Sequence, residues 1–274
     1  MVFQIIKAEE RKNIFKAFYL SALAISFIGL IYFFGGQMTY DGRLQALFNS
    51  PNYLAMYLAP AIIMGAIFFQ ENRKIYGISL AIILSTFYLT LSYAAWMAVL
   101  LALFITLWLN KKLSRKWLWL PLILLAVFIF FQSGTKKMSD FLQKDPRSSI
   151  SSREMIWSAS KKILADHWFL GIGPGNFQDK YLEYQRYFPP YLEWAVPQPH
   201  SLYLAFWLQS GLVGFLGFIL LIFRWFKNIF QRPADNLKWI SLGIMLYILI
   251  HGLVDTTYFK NDLAIIFWLT FLAI

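Results

Sequence analysis

Residues 202–226 read LYLAFWLQSGLVGFLGFILLIFRWF and contain a single charged residue, Arg224. A helix needs roughly 17 to 25 mostly apolar residues to cross the hydrocarbon core of a bilayer. The run is therefore long enough to cross a membrane as a helix, and its length is unusual for a helix of a soluble domain. It predicts a helical membrane protein.

Seven further apolar runs extend this prediction to the rest of the chain. They are Ala17–Phe34, Tyr53–Phe69, Tyr76–Leu91, Ala94–Leu109, Trp117–Phe131, Leu237–Leu253 and the shorter Leu263–Ile274. The third and fourth runs are too long together for one helix, so we place a tight turn at Ser92 and Tyr93. We expect an all-α polytopic transmembrane bundle of about eight spans, forming a single membrane domain over residues 1–274.

The composition agrees with a lipid environment. Hydrophobic residues make up 59% of the chain, charged residues only 14%, and the mean hydropathy is +0.54. The net charge of +11 comes from short basic clusters between apolar runs rather than from one basic face, so we expect no nucleic-acid partner. The chain contains no Cys, which excludes disulfides and a thiol nucleophile.

The basic clusters also predict the orientation of the chain. They lie at residues 7–16, 73–74, 111–116 and 224–238, and with alternating spans all four fall on one side. Basic loops stay on the cytoplasmic side of a membrane, so we expect a cytoplasmic N-terminus. The opposite, extracytoplasmic side then receives the segment around Arg43, the turn at Ser92, the turn at residues 255–262 and the long loop at residues 132–200.

The long loop, between the fifth and sixth spans, contains a predicted amphipathic helix. Ser151 and Ser152 resemble an N-cap before Arg153. A helix over about Ser152–Ala165 then places five apolar residues on one face: Met155, Ile156, Ala159, Ile163 and Leu164. The sequence GIGPGNF at residues 171–177 predicts a tight turn after this helix. A loop of this length usually has a function, so we expect the chemistry of the protein here.

Several motifs resemble the bacterial O-antigen ligases and the related O-antigen polymerases. His200 and Ser201, followed after nine residues by GLVG at 211–214, resemble the signature of that family. Other similar segments follow the family order: Arg43 with FNSPNYLA at 48–55, TLSYAAW at 90–96, SSREMIW at 151–157, GIGPGNF at 171–177, and HGLVD at 251–255.

Two features depart from the family pattern. Tyr93 stands where the family usually has a basic residue. The family also has about a dozen spans, so the resemblance implies a fragment that lacks several N-terminal spans.

The resemblance implies a metal-independent glycosyltransferase of the bacterial cytoplasmic membrane. Such proteins transfer a glycan from a polyprenyl-diphosphate-linked oligosaccharide donor to an acceptor glycan or lipid-linked glycan at the outer face of the cytoplasmic membrane.

The same resemblance implies roles for individual residues. An imidazole suits a general base near neutral pH, so we assign that role to His200. Guanidinium groups bind diphosphate well, which suits Arg153 as a second catalytic residue and Arg43 as a binding residue. Further expected substrate contacts are Asn52, Ser92, Tyr93, His251 and Asp255. With three scattered His and no acidic pair, we expect no metal or cofactor.

Other functions fit parts of the same pattern. A transporter or flippase of lipid-linked glycans would also use basic and aromatic residues, although transporters usually place ionisable groups near the bilayer midplane. A protein O-oligosaccharyltransferase would share the donor site and differ in the acceptor, and a non-catalytic remnant is a third alternative. His251 and Asp255, four residues apart, either orient His200, bind sugar or satisfy each other.

Overall fold

The computed structural model describes residues 7–110, 115–135, 138–139, 149–189 and 195–274. Parts of the basic segment 111–116 and of the predicted loop 132–200 therefore lie outside the described residues. Within the described ranges there are helices and no strands, which confirms the all-α prediction. The α-helices are α1 Ala8–Phe34, α2 Pro51–Phe68, α3 Arg73–Leu89, α4 Tyr93–Leu109, α5 Trp119–Gln132, α6 Ser149–Asp166, α7 Phe177–Tyr184, α8 Leu202–Gln231, α9 Asn236–His251 and α10 Asn261–Leu269.

Four helical stretches in the described part of the chain are long and apolar enough to cross a membrane: Glu9–Phe34, Pro51–Phe68, Arg115–Gln132 and Leu202–Gln231. Each coincides with one of the predicted spans. The other four apolar runs also form helices, but α3, α4, α9 and α10 have only 17, 17, 16 and 9 residues. The total of eight spans and the orientation remain predictions.

The predicted turn between the third and fourth runs is present. Helix α3 ends at Leu89 and α4 begins at Tyr93. The helical conformation is interrupted at Leu91, whose φ of 47° is unusual for a bulky residue. Ser92 takes the N-cap position of α4 with extended backbone angles.

The chain divides into two compact units, and the first comprises Met1–Leu122, Asn228–Ile248 and Tyr258–Ile274. Its central element is α2, which packs against α1, α3, α4 and α10. Helix α2 is buried along most of its length, with Leu54, Leu58 and Ile63 fully buried. Apolar side chains that surround a helix on all faces mark it as the core of a bundle.

The second unit comprises Ile123–Lys227 and Leu249–Thr257. Its core forms where the apolar face of α6 meets α7 and α8, with Ile156, Ile163, Phe177, Tyr181 and Leu208 all buried. The amphipathic helix is thus confirmed, but the predicted N-cap at Ser151 and Ser152 is wrong because α6 begins at Ser149. In the longer helix the buried Ser152 packs toward the core.

Helix α8 is broken at Gly211, where the sequence predicts one continuous span. Gly211 has φ 67° and ψ −173°, far from helical values. The rings of Phe206 and Phe218 stack with centroids 4.0 Å apart. Twelve residues of a straight helix would separate them by about 18 Å along the axis, so residues 202–210 fold back against the start of residues 212–231. At 1.5 Å per residue the second part is about 30 Å long, which is the thickness of a bilayer core.

Candidate functional site

Main-chain contacts in the second unit bring His200 close to Asp255. The Leu202 N–H at the start of α8 donates to the Gly252 carbonyl at 2.7 Å. The Tyr203 hydroxyl donates to the Leu249 carbonyl at 3.0 Å. The start of α8 is thereby held against the end of α9, and the residues on either side of these contacts face each other.

His200 donates a hydrogen bond to Asp255. The Nδ1 atom lies 3.0 Å from Asp255 Oδ1, and an ionised carboxylate only accepts hydrogen bonds. The proton therefore sits on Nδ1, which leaves Nε2 as the proton-accepting nitrogen of the neutral ring. The side chain of His200 is 33% exposed and that of Asp255 only 4%. A buried carboxylate behind an accessible imidazole is an arrangement that can orient a general base.

His200 also has an unusual backbone conformation. Its φ of 45° lies in the left-handed region, which few residues other than Gly adopt. Strained backbone of this kind costs of order 1–3 kcal/mol and persists only where surrounding contacts hold it. One such contact comes from Trp157, whose Nε1–H donates to the His200 carbonyl at 3.1 Å.

Arg153 completes what we call the histidine network, formed by Arg153, His200 and Asp255. Its Nη2 lies 3.3 Å from Asp255 Oδ2, its Nε donates to the Val254 carbonyl at 2.8 Å, and its Nη1 donates to the Ser149 carbonyl at 3.1 Å. Three of the five guanidinium N–H groups thus bind within the described part of the chain. Arg153 is fastened to the carboxylate that holds His200.

The network keeps Asp255 ionised. Burial raises the pKa of the Asp255 carboxyl, but the neighbouring His200 and Arg153 more than offset it and hold this pKa below its ordinary value. The Thr256 N–H adds a further hydrogen bond to Oδ1 at 2.8 Å. An ionised carboxylate fixes the tautomer of the neutral His200 ring.

His251 supports the same turn through its backbone. Helix α9 ends at His251, and Asp255 lies in the turn that follows it. The His251 carbonyl accepts from the N–H groups of Val254 and Asp255, both at 3.0 Å. The His251 side chain is 1% exposed. Of the two residues, Asp255 is the one whose side chain contacts His200.

The first unit holds a second group of predicted site residues, which we call the arginine cluster: Arg43, Asn52 and the Thr90 carbonyl. Arg43 Nε donates to Thr90 O at 2.8 Å, and Nη2 donates to Asn52 Oδ1 at 2.5 Å. The Asp41 carboxylate lies 3.8 Å from Nη1. Three motifs that are separate in the sequence therefore meet at one guanidinium. Ser92 is buried, and Tyr93, the first residue of α4, is half-buried.

The sequence did not predict the residues that lie beside the arginine cluster. The Tyr53 hydroxyl donates to the Asp262 carboxylate, and the Lys260 ammonium lies 3.7 Å from the centre of the Tyr53 ring. Tyr53 directly follows Asn52, but nothing in the sequence connects it with residues more than 200 positions away.

The two glycine motifs of the second unit bind each other. The Ile172 N–H donates to Leu208 O at 2.6 Å, and the Leu212 N–H donates to Phe169 O at 2.9 Å. A Cβ on Gly171 would lie 2.4 Å from Leu208 O, and one on Gly211 would lie 2.3 Å from Phe169 O. The predicted turn after α6 thus exists, and it satisfies main-chain groups that the break in α8 releases.

The part of the chain that the structure describes contains no group of three or more His, Asp or Glu placed to hold a metal ion. The histidine network has one imidazole, one carboxylate and one guanidinium. This donor set suits movement of a proton beside an anion rather than coordination of a cation.

Fold and site together define an all-helical membrane protein with an oriented imidazole beside a buried carboxylate and a guanidinium. Residues 78–219, more than half of the chain, match the O-antigen ligase family, Wzy_C. The chain belongs to this O-antigen ligase family, whose members carry out glycosyl transfer in membranes. The match covers Tyr93, Arg153 and His200. No curated protein matches the chain.

Proposed function

We propose that the protein transfers a glycan from a polyprenyl-diphosphate carrier to an acceptor hydroxyl, with His200 as the general base. The observation that carries this proposal is the hydrogen bond from His200 Nδ1 to the buried Asp255, which leaves Nε2 to receive a proton. A positioned base contributes roughly 10²- to 10⁴-fold to the rate of such a step.

The proposed reaction is a direct displacement. Nε2 of His200 takes the proton of the acceptor hydroxyl while the hydroxyl oxygen bonds to the anomeric carbon of the donor sugar. The bond from that carbon to the diphosphate oxygen breaks, and the polyprenyl diphosphate leaves with the electron pair. Attack from the side opposite the leaving group inverts the anomeric centre. NMR of the product linkage tests this inversion.

Negative charge grows on the leaving diphosphate, and guanidinium groups are suited to bind it. We assign this binding role to Arg153 and Arg43. Arg153 has two N–H groups beyond those used in its contacts with the described residues. Asn52 orients Arg43 through the hydrogen bond to its Nη2. Since Ser92 and His251 are buried, we assign them to positioning the chain, whereas the half-buried Tyr93 is assigned to the substrate.

We place the reaction at the extracytoplasmic face of the bacterial cytoplasmic membrane. The positions of the basic clusters on the opposite side support this location. The acceptor is a glycan or a lipid-linked glycan, as in a ligase or a polymerase; a protein acceptor would define an O-oligosaccharyltransferase instead.

The proposal is tested with purified protein in proteoliposomes. The donor is a polyprenyl-diphosphate oligosaccharide, and the acceptors are a free glycan, a lipid-linked glycan and a protein. We expect His200→Ala to lower the rate of transfer by about 10²- to 10⁴-fold. The matched control is His167→Ala, which removes a half-buried imidazole just after α6 and leaves the histidine network intact.

Wild-type transfer by His200→Ala would refute the proposed base. Movement of the donor across the bilayer without any transfer product would favour the transporter or flippase. Equal thermal unfolding of the two His variants in detergent would show that the lost activity is chemical rather than structural.

A further inference from the structure

Three large apolar side chains project from the turn between α6 and α7. Trp168, Phe169 and Leu170 are 53%, 52% and 81% exposed. The segment from Trp168 to Gln178 contains no charged residue, although charged residues flank it on both sides in α6 and α7. A contiguous exposed apolar group on an uncharged loop tip marks an interaction surface.

The main chain of this turn is fixed to the break in α8. Besides the two bonds that join the glycine motifs, the Trp168 carbonyl accepts from Trp207 Nε1 at 2.8 Å. The Gly171 N–H donates to the His167 carbonyl at 2.8 Å. These bonds satisfy four main-chain groups of residues 168–172, which lowers the cost of moving the turn into a medium that offers no hydrogen bonds.

The break in α8 marks one end of a membrane-length helix. Residues 212–231 extend for about 30 Å, and their basic residues, Arg224 and Lys227, lie toward the far end. The large apolar residues exposed on this part begin just after the break, with Val213 at 70% and Leu216 at 55%. Gly211 therefore lies at the bilayer boundary opposite the basic end.

From these observations we propose that Trp168, Phe169 and Leu170 insert into the lipid bilayer beside the start of the lipid-facing part of α8. The hydrogen bond from Leu212 to Phe169 places this tip next to Val213, so the two exposed apolar surfaces are continuous. Aromatic residues favour the region where the hydrocarbon core meets the headgroups. The inserted tip fixes the depth of α6, which carries Arg153 and Trp157 and through them holds His200 at the membrane surface.

The absence of Cys from the chain makes a direct depth measurement possible. Leu170→Cys in an otherwise unchanged chain is labelled with a nitroxide and reconstituted in phosphatidylcholine/phosphatidylglycerol nanodiscs. Electron paramagnetic resonance then measures collisions of the label with oxygen, which concentrates in lipid, and with a water-soluble nickel chelate. We expect a ratio of oxygen to nickel collisions severalfold higher than that of a label on Glu183→Cys, an exposed position on α7.

Val213→Cys serves as the lipid-facing reference, and Leu170→Cys should approach its ratio. A nickel accessibility at Leu170 equal to that at Glu183 would place the tip in water and overturn the proposal. A label shielded from both oxygen and nickel would also overturn it, because that result indicates a protein contact such as a second copy of the chain. The readout does not depend on activity, so it stays independent of the proposed transfer reaction.

Discussion

The histidine network and the arginine cluster both contain a mostly buried arginine, but the partners of the two guanidinium groups differ. Arg153 contacts the carboxylate of Asp255, which is 4% exposed and also binds an imidazole. Arg43 donates to two neutral oxygens, those of Thr90 and Asn52, while the Asp41 carboxylate near it is 41% exposed. An imidazole on a fixed carboxylate can move a proton, whereas a guanidinium oriented by neutral acceptors can bind an anion.

Under the proposed function, this difference suits the two regions to different tasks. His200 and Asp255 of the histidine network are suited to the chemical step, and changes in them should lower the rate constant of transfer. The arginine cluster is suited to holding an anion, and changes in it should weaken donor binding. The predictions for Asp255, Arg43 and Trp157 test that division, and the prediction for Gly211 tests the docked turn.

Asp255→Asn is expected to have the largest effect. His200 and Arg153 bind different oxygens of Asp255, and in the amide one of these becomes a nitrogen that only donates, so one of the two contacts is lost. The rate of transfer should fall by about 10²- to 10⁴-fold with the His200 tautomer no longer fixed. Removing the partner of a buried charge should also lower the free energy of unfolding by about 3 kcal/mol. Transfer assays and thermal unfolding in detergent measure the two effects.

Asp179→Asn, at an exposed position in the first turn of α7, is the matched control for this change. It should leave both quantities unchanged. Normal activity of Asp255→Asn would show that the carboxylate is not needed for transfer. The histidine network would then have no demonstrated part in the chemical step.

Gly211→Ala should have the next largest effect, on stability. An added Cβ would lie 2.3 Å from the Phe169 carbonyl, and φ at this position is 67°. Left-handed backbone strain and overpacking together should cost about 2–4 kcal/mol of unfolding free energy. Gly217→Ala, on the same helix with nothing within 4 Å of the added Cβ, is the control. It should be neutral or slightly stabilising. Similar unfolding temperatures for the two variants would contradict the docked turn.

The break at Gly211 shows where the sequence stops being informative. Leu202–Phe226 reads as one apolar run, and glycine is common in membrane helices. The break depends on carbonyls and N–H groups of a turn some 40 residues earlier. Main-chain groups are the same in almost every residue type, so the sequence does not reveal such contacts. The break between α3 and α4 was predictable because the apolar run is too long for a single membrane-spanning helix.

In the candidate site, too, side chains could be predicted from the sequence and main-chain contacts could not. Arg153, His200 and Asp255 carry recognisable side chains, so motif order identified them. The contacts that hold them use the carbonyls of Val254, Ser149 and His200. The sequence could have indicated Trp157 as a site residue, because it lies four residues after Arg153 and thus on the same face of α6. No spacing or motif in the sequence predicts that Lys260 and Asp262 lie close to Tyr53.

Arg43→Lys is expected to have an intermediate effect, confined to binding. Lysine keeps the positive charge but cannot reproduce the planar fork that contacts Thr90 and Asn52 together. Loss of one charge-assisted hydrogen bond, about 1.5 kcal/mol, should raise KM for the donor about tenfold with little change in kcat. Steady-state kinetics at varied donor concentration measure this. The control is Arg73→Lys, at the exposed first residue of α3. A fall in kcat at constant KM would instead assign Arg43 to the chemical step.

Trp157→Phe should have the smallest effect and gives the finest test of the comparison. Phenylalanine keeps most of the ring packing but loses the N–H that donates to the His200 carbonyl. A single hydrogen bond is worth about 1 kcal/mol, so kcat should fall about fivefold while KM for the donor stays constant. Trp119→Phe, at a position 64% exposed on α5, should change neither. An effect on KM alone would mean that Trp157 acts on donor binding and would contradict its proposed role in positioning His200. A change in kcat alone would show that the left-handed backbone of His200 is part of how the base is aimed.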